Sequence, residues 1–244
     1  MHYWQKATPE DPEEFAQQVV ATCEFYQQAV ALAAQGIHLV STDEKTGIQA
    51  VERAKASLPM RPGLVERQEF EYIRHGTQCL IANFDVVTGQ ILAPSIGQTR
   101  TEADFALHVA QTVATDPKGH WIFIVDRLNT HQSEALVRFV SSTEQLTEDL
   151  GIKGSSGILT SMATRTAFLQ EPNHRIRFVY TPVHASWLNQ IELWFSILVR
   201  RLLRRASFSS TEDLRQRILA FIDYFNKTMA KPFKWTYAGR PLTA

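Results

Sequence analysis

The stretch YTPVHASWLNQIELWF, residues 180–195, decides the fold because it joins a predicted strand to a helix that carries one isolated acidic residue. Ser186 is a suitable N-cap for that helix. Residues 187–199 are apolar almost all round, which predicts a buried helix. Glu192 is the only charged residue in this span. A buried carboxylate is costly unless a cation or hydrogen-bond donors meet it, so the partners of Glu192 are expected elsewhere in the chain.

Two further acidic residues follow predicted strands. Asp43 follows IHLVST, residues 37–42, and Asp126 follows WIFIV, residues 121–125. The second run is continuously apolar, which is typical of a central strand covered on both faces. In sheets of this kind, ligands collect at the carboxyl ends of the strands. We therefore expect Asp43, Asp126 and Glu192 to converge at one edge of the sheet.

The order of the predicted elements is helix, strand, hairpin, helix, strand, helix, strand, helix, helix. This order predicts an α/β fold with a mixed five-stranded sheet and helices on both faces. Residues 44–76 show no clear period and are predicted to be largely irregular. The predicted strands are residues 37–42, 77–84, 90–96, 121–125 and 175–180, and the predicted helices are residues 11–34, 101–115, 133–139, 161–169, 186–199 and 210–229.

Composition indicates a globular protein with one sizeable core. The chain has 244 residues, of which 44% are hydrophobic. Charges interrupt every apolar run before the roughly 20 residues that a membrane span needs, and the N-terminus lacks the apolar core of a signal peptide. These features predict a cytoplasmic protein without membrane contact. Cys23 and Cys79 lie far apart in apolar surroundings and are predicted to be free, buried thiols.

Charge is distributed unevenly along the chain although the total of 25 basic and 25 acidic residues gives no net charge. Residues 1–150 contain 11 Lys or Arg and 20 Asp or Glu, whereas residues 151–244 contain 14 and 5. The C-terminal part is therefore basic, which favours contact with nucleic acid or another polyanion. An ordinary solvated surface is the alternative interpretation.

The three acidic residues together predict a metal centre. Like charges need neutralising when they meet, and oxygen ligands on rigid elements suit Mg²⁺ or Mn²⁺. Two such ions about 3.5 to 4 Å apart activate a water or a 3′-hydroxyl and stabilise the leaving oxygen, as phosphodiester cleavage and transfer require. The alternative for Asp43 and Asp126 is a turn or cap role, which is common for Asp after a strand.

Several motifs identify a family resemblance that covers residues 11–242. The chain resembles the bacterial insertion-sequence transposases related to mariner elements, whose catalytic domain belongs to the Asp-Asp-Glu (DDE) superfamily of endonucleases. The motifs that carry the resemblance are TPVHASWLNQIELWFSILVRRLLRRASFSS, PFKWTYAGRPL, DEKTGIQAVER and RQEFEYIRHGT.

The resemblance implies a ribonuclease-H-like fold and a catalytic, metal-binding triad at Asp43, Asp126 and Glu192. The implied activity is divalent-metal-dependent DNA cleavage and strand transfer during transposition, with two Mg²⁺ or Mn²⁺ ions. The implied partners are transposon ends and target DNA, and the active assembly is expected to be a homodimer that associates with the nucleoid.

Two departures from the family pattern affect these expectations. Asp126 is followed by Arg127 where the family usually has Asn, while His131 keeps the later position of the Asp-Asn-x-x-x-His pattern. Such transposases also usually begin with helix-turn-helix modules, and the chain is expected to start at the catalytic part. The expected organisation is a helical lead-in at residues 1–36, a catalytic domain at residues 37–228 and a tail at residues 229–244.

Basic and histidine residues supply candidate auxiliary groups. Arg200, Arg201, Arg204 and Arg205 end the Glu192 helix and are predicted to bind DNA phosphates, with complementation of the helix C-terminus as the alternative. Arg127 is predicted to pair with a carboxylate or a phosphate, or else to have damaged the site. His131 and His184 either steer a phosphate or water, or have satisfied structural roles.

Two other functions are compatible with the residues. The first is a catalytically decayed transposase fragment that acts only as a DNA-binding or assembly module. The second is a hydrolase that uses a pair of carboxylates on a glycoside, which leaves the basic C-terminal part without a role.

Overall fold

A mixed five-stranded sheet forms the centre of the computed structural model, which describes residues 11–55, 58–67, 69–237 and 239. The strand order is β3-β2-β1-β4-β5. Strands β1, β2 and β3 pair antiparallel, whereas β1, β4 and β5 run parallel, so the predicted mixed sheet is confirmed. The strands are β1 (Ile37–Arg53), β2 (Tyr72–Asp85), β3 (Ile91–Gly97), β4 (His120–Val125) and β5 (Ile176–Tyr180).

Within the described ranges, six α-helices connect and cover the strands, and side-chain caps define several of their starts. Asp11 accepts hydrogen bonds from the backbone N–H groups of Glu13 and Glu14, and Thr101 forms a capping box with Asp104. The helices are α1 (Pro12–Ala34), α2 (Glu102–Val113), α3 (Glu134–Glu144), α4 (Met162–Leu169), α5 (Ile191–Leu198) and α6 (Thr211–Thr228). A π-helical segment, Val199–Leu203, continues α5.

Alternation along the strands sends side chains to two different cores. In β1, Val40 packs with buried residues of α2, α3 and α4 on one face of the sheet, whereas Leu39 packs with Tyr26 and Ala29 of α1 on the other. Phe84 of β2 lies opposite Ser41 and packs with α5 and α6. Helices therefore cover both faces, with α1, α5 and α6 on the same side.

Strand β4, which lies inside the sheet between β1 and β5, is buried along its length after its first residue, as the continuous apolar run predicts. Both cysteines are free and buried, as expected. Among the described residues, no helix combines the length and the apolar character that crossing a membrane would require.

The extent of β1 corrects the sequence-based prediction. The strand does not end before Asp43 but continues to Arg53, and β2 begins at Tyr72 rather than at residue 77. The predicted irregular region 44–76 is therefore strand at both ends. Periodicity does not predict the long β1–β2 hairpin, because register shifts interrupt the pairing of the two strands. These shifts break the alternation of buried and exposed side chains.

The start of α5 is also corrected. Ser186 does not cap this helix, since residues Ser186–Leu188 form a short 3₁₀ turn and α5 begins only at Ile191. The intervening Asn189 makes its side-chain hydrogen bonds to β1 instead of continuing a helix. Trp187, predicted to be buried, has 51% of its surface exposed.

Candidate active site

The pairing register of two parallel strands brings Asp43 and Asp126 together. Ser41 of β1 is paired with Ile124 of β4, and each aspartate lies two residues further along its strand direction. The two carboxylates therefore leave the sheet at matching positions. Their charges interact, as the effect of Asp126 on the pKa of Asp43 shows. The expected convergence of these two acids occurs although Asp43 lies inside a strand.

Asp43 is the more buried of the two aspartates. It has 8% of its surface exposed. Burial, followed by the negative charge of Asp126, raises the pKa of the Asp43 carboxyl to about 8. A backbone hydrogen bond from Glu44 N–H to Asp43 Oδ1, 2.7 Å long, acts in the opposite direction. The facing aspartates thus form a site where a cation would relieve repulsion.

Glu192 lies on the open side of α5, which corrects the prediction that this carboxylate is buried. The helix buries Ile191, Trp194, Phe195 and Leu198, whereas Glu192 is exposed to solvent. Partial desolvation raises the pKa of Glu192, the nearby cation Lys45 lowers it and the charge of Asp126 raises it further. The helix is apolar in composition but only one face packs on the sheet, so Leu193 on the open face is also exposed.

His131 links Asp126 to a second acidic residue on β1, Glu44. Its Nδ1 lies 2.8 Å from Asp126 Oδ1, and its Nε2 lies 3.0 Å from Glu44 Oε2. The His131 side chain is fully buried, and only 2% of the Glu44 side chain is exposed. Tyr180 donates a hydrogen bond to the His131 carbonyl oxygen at 2.8 Å, and the ring of Phe105 packs 4.2 Å from the imidazole. These contacts fix His131 between two strands.

The charges in this buried bridge stabilise one another. Burial opposes a charged imidazole, but the hydrogen bonds and charges of Asp126 and Glu44 raise the pKa of His131 to about 10. Burial likewise opposes charged carboxylates, yet contact with His131 holds the pKa values of Glu44 and Asp126 below their ordinary range. The bridge is therefore an imidazolium between two carboxylates at neutral pH.

Asn189 ties the approach to α5 directly to β1. Its Nδ2 donates to the Thr42 carbonyl oxygen at 2.9 Å and to Asp43 Oδ2 at 3.3 Å, and its Oδ1 accepts from the Ser41 hydroxyl. The same hydroxyl accepts from Ile191 N–H at 3.0 Å. The segment that carries Glu192 is thereby held against the strand that carries Asp43.

Replacing Asn189 with Ala is expected to lower the free energy of unfolding by about 1 to 3 kcal/mol, because it leaves buried hydrogen-bonding groups of Ser41 and Thr42 without their partner. Urea denaturation of the purified protein measures this change. Asn173→Ala, at an exposed turn, is the matched control and should change stability by less than about 0.5 kcal/mol. Equal midpoints for the two variants would contradict the structural role of Asn189.

The other predicted site residues fall into two groups. His131 has both ring nitrogens engaged by carboxylates, so the structure places it in a structural role rather than in contact with a phosphate. The remaining residues are exposed: Arg127, His184, Arg200, Arg201, Arg204 and Arg205. His184 adopts a left-handed backbone conformation with φ of 63° in the loop that leads to α5. In the described ranges, no three His, Cys, Asp or Glu side chains have the arrangement of a metal site.

Sequence reasoning missed several residues around the acids, namely Ser41, Glu44, Lys45, Arg100 and Asn189. Arg100 precedes α2, and its charge helps to lower the pKa of Asp126. The alternation of β1 offered the available signal for Glu44, because it directs Glu44 to the face opposite that of Asp43. Nothing in the local sequence indicates that Asn189 and Arg100 approach the aspartates.

A protein-family model described as a DDE superfamily endonuclease matches residues 38–215. The chain belongs to this family. The matched region contains every strand except the first residue of β1 and includes both candidate aspartates and Glu192. No match was found among curated proteins.

Solved structures of a transposase share the fold of this DDE superfamily endonuclease. The Mos1 mariner paired-end complex with Mn superposes with a TM-score of 0.54 at 14% identity, covering 98% of this chain and 63% of that one. A pre-cleavage Mos1 transpososome gives a TM-score of 0.53 at 14% identity, with 98% and 62% covered. The Mos1 catalytic domain with raltegravir and Mn gives 0.50 at 11% identity, with 95% and 90% covered.

These likenesses establish the fold. The mixed sheet and its covering helices match the ribonuclease-H-like fold of the Mos1 catalytic domain, so the predicted fold class is confirmed. The DDE superfamily endonuclease spans less than two thirds of the length of the Mos1 chains in the two DNA complexes.

Proposed function

We propose that the chain is the catalytic part of a transposase of the insertion-sequence type related to mariner elements, which cleaves DNA and transfers the cut strand with the help of divalent cations. The observation that carries this proposal is that Asp43 and Asp126 follow the paired residues Ser41 and Ile124 by two positions each, with the charge of Asp126 acting on both Asp43 and Glu192. Membership of the DDE superfamily endonucleases supports the endonuclease chemistry.

The donor set suits Mg²⁺ or Mn²⁺. Asp43, Asp126 and Glu192 offer carboxylate oxygens, the donors that these ions prefer, and Asp126 acts electrostatically on both other acids. Two ions bound by these residues would supply an activated water or 3′-hydroxyl and stabilise the leaving oxygen. The Mn²⁺-containing structures among the Mos1 likenesses support this choice of metal.

The surrounding residues prepare the carboxylates for this role. His131 Nδ1 binds Asp126 Oδ1, so the Asp126 carboxylate is oriented before any substrate binds. Asn189 holds Asp43 and the start of α5 in one hydrogen-bonded unit. Glu192 lies on this fixed segment and keeps its carboxylate exposed, so that it would be free to bind a divalent cation that in turn contacts a DNA phosphate.

Cations around the acids are proposed to bind DNA. Arg200 and Arg201 lie exposed in the π-helical segment after α5, and Arg204 and Arg205 lie exposed in the turn that follows it, where all four can neutralise phosphates. Arg127, also exposed, is proposed to contribute a further phosphate contact beside Asp126. Transposon ends and target DNA are the proposed partners, and the paired-end complex of Mos1 supports a DNA partner. A homodimer is the proposed active assembly.

Cleavage of labelled duplexes that carry the DNA ends flanking the gene tests this function. Nicked or joined products are expected with Mn²⁺ or Mg²⁺, and none with EDTA or Ca²⁺. Tight, salt-sensitive binding of the same duplexes without any cleavage in Mn²⁺ would overturn the catalytic proposal and favour a DNA-binding module without activity. Equal cleavage in EDTA would exclude the metal-dependent mechanism.

A further inference from the structure

A groove lies beside the candidate active site, between the outer part of β1 and the π-helical segment after α5. Its cavity volume is about 470 Å³. We call it the lateral groove and define it by Lys45, Ile48, Arg53, Tyr72, Arg204 and Phe208 among its lining residues. The proposed cleavage chemistry does not use this groove.

The floor of the lateral groove is apolar and firmly held. Ile48 and Phe208 have 5% and 1% of their surfaces exposed, and Val51 and Leu203 complete the floor. The Phe208 N–H donates to the Val51 carbonyl oxygen at 2.8 Å, and the Arg53 N–H donates to Ser207 Oγ at 2.9 Å. These bonds join the segment after the π-helix to β1, so the floor is preformed.

Backbone irregularities shape both walls of the groove. A register shift between Lys45 and Ile48 marks a bulge in β1, where Gly47 has a φ of 64° that favours glycine. On the other wall, Arg204 N–H donates to the Val199 carbonyl oxygen at 2.9 Å, a bond across five residues that closes the π-helical turn. Both kinds of irregularity recur next to functional sites.

The rim of the groove carries three cations. Lys45, Arg53 and Arg204 line it, and no Asp or Glu is among its described lining residues. Arg53 uses one guanidinium nitrogen to donate to the Glu69 carbonyl oxygen at 2.8 Å, which positions the group while leaving further donors. The rim is therefore complementary to phosphate.

An aromatic ring stands at the same rim. Tyr72 is 46% exposed, and the Arg74 guanidinium carbon lies 5.3 Å from its ring centre. Arg74 Nη2 also donates to the Tyr72 hydroxyl at 2.9 Å, so this cation holds the ring at the rim. Exposed aromatic rings beside cations are the means by which proteins hold unpaired bases.

Lys45 connects the groove with the acids. It lies two residues after Asp43, and its charge acts on Glu192. Along an extended strand, the five residues from Asp43 to Ile48 span about 17 Å. Since the rise of a B-DNA strand is about 3.4 Å per nucleotide, the groove lies within about five nucleotides of a phosphate held at the acids.

We propose that the lateral groove binds an unpaired nucleotide of the DNA strand that is cut, with its phosphate on Lys45, Arg53 and Arg204 and its base against Tyr72 and the apolar floor. The proposal rests on the proposed function for the position of the cut strand. A duplex keeps its bases stacked inside and would leave an apolar floor without a partner, which is why an unpaired nucleotide fits better.

Photo-crosslinking tests the proposal on the whole chain in EDTA, so the result does not depend on cleavage. The probe is a duplex with a ten-nucleotide single-stranded extension that carries 5-iodo-deoxyuridine at one defined position at a time. Crosslinking to the peptide that contains Tyr72 is expected from positions two to five nucleotides from the junction. Tyr72→Phe should retain the crosslink, whereas Tyr72→Leu should lose it and bind the probe roughly tenfold more weakly.

The cations are tested by the salt dependence of binding to the same probe. Arg53→Gln should reduce the slope of log affinity against log salt by about 0.7, the value for one contact to a single strand. Arg138→Gln, an exposed arginine paired with Glu134 on α3, is the matched control and should leave the slope unchanged.

Two outcomes would overturn the proposal: crosslinks that map elsewhere with Tyr72 unmodified, or a slope for Arg53→Gln equal to that of the wild type. If the protein cleaves DNA but does not crosslink at Tyr72, the groove proposal alone is wrong. If the protein crosslinks at Tyr72 but does not cleave DNA, the groove proposal stands and the proposed catalytic function is wrong.

Discussion

Glu192→Gln is expected to reduce divalent-cation-dependent DNA cleavage by about 10³-fold or more, which corresponds to roughly 4 kcal/mol of lost transition-state stabilisation. Gln keeps the size of the side chain but removes the negative charge that a divalent cation requires. Because Glu192 is exposed on α5, the change should leave the thermal midpoint of the cation-free protein nearly unaltered. Cleavage of labelled duplex in Mn²⁺ gives the rate, and thermal unfolding in EDTA gives the midpoint.

Glu24→Gln, an exposed position on α1, is the matched control for this experiment and should cleave at the wild-type rate. A binding readout separates the role of Glu192 from a general loss of DNA affinity. The variant should bind the same duplex in EDTA as tightly as the wild type but gain less thermal stability from added Mn²⁺. If Glu192→Gln cleaves DNA at the wild-type rate, Glu192 is not a catalytic residue.

The two aspartates should respond differently to the same kind of substitution. Burial and the charge of Asp126 raise the pKa of Asp43 to about 8, so its carboxyl is largely neutral at neutral pH without a cation, and the cation-free protein should tolerate Asp43→Asn well. Asp126→Asn takes away a charged partner of the buried His131 and should destabilise the fold. The two substitutions differ because Asp126, unlike Asp43, forms an ion pair with His131.

Much of the fold follows from local sequence patterns. The apolar run of β4 predicts a central strand, and Asp126 after it is correctly placed at the strand end. Helix α2 begins at its predicted cap, Thr101, because a capping box is a local signal. By contrast, the outer half of β1 is interrupted by a bulge at Gly47, and each of its paired residues has a partner in β2 at least 19 positions away.

The candidate site was also predictable only in part, because some of its residues meet through contacts between distant parts of the chain. Asp43 and Asp126 each follow an apolar stretch of strand, a signal that one segment contains. The burial of Glu192 was wrong because composition does not say which face of α5 packs on the sheet. The contacts of Glu44 with His131 and of Asn189 with Asp43 could not be predicted, because His131 and Asn189 lie outside the strands and far from their partners in sequence.

Replacing His131 with Asn should lower the free energy of unfolding by about 3 to 5 kcal/mol, the usual cost of removing one partner from a buried ion pair. The reason lies mainly in Glu44, whose side chain is 2% exposed and would keep a charge without its imidazolium partner. Urea denaturation in EDTA at neutral pH measures the effect, and an unchanged dependence on urea concentration would show that the unfolded state is not altered.

A double-mutant cycle with Glu44→Gln identifies the buried charge as the cause. If the bridge acts as argued, Glu44→Gln combined with His131→Asn should be less destabilising than the sum of the two single changes, by roughly 0.5 to 3 kcal/mol. Simple additivity would show that Glu44 and His131 do not stabilise each other, and a loss below about 1 kcal/mol for His131→Asn would contradict a buried ion pair.

Because the same imidazole holds Asp126, His131→Asn should also bind Mn²⁺ about 10- to 100-fold more weakly, as expected when a residue that orients a metal ligand is removed.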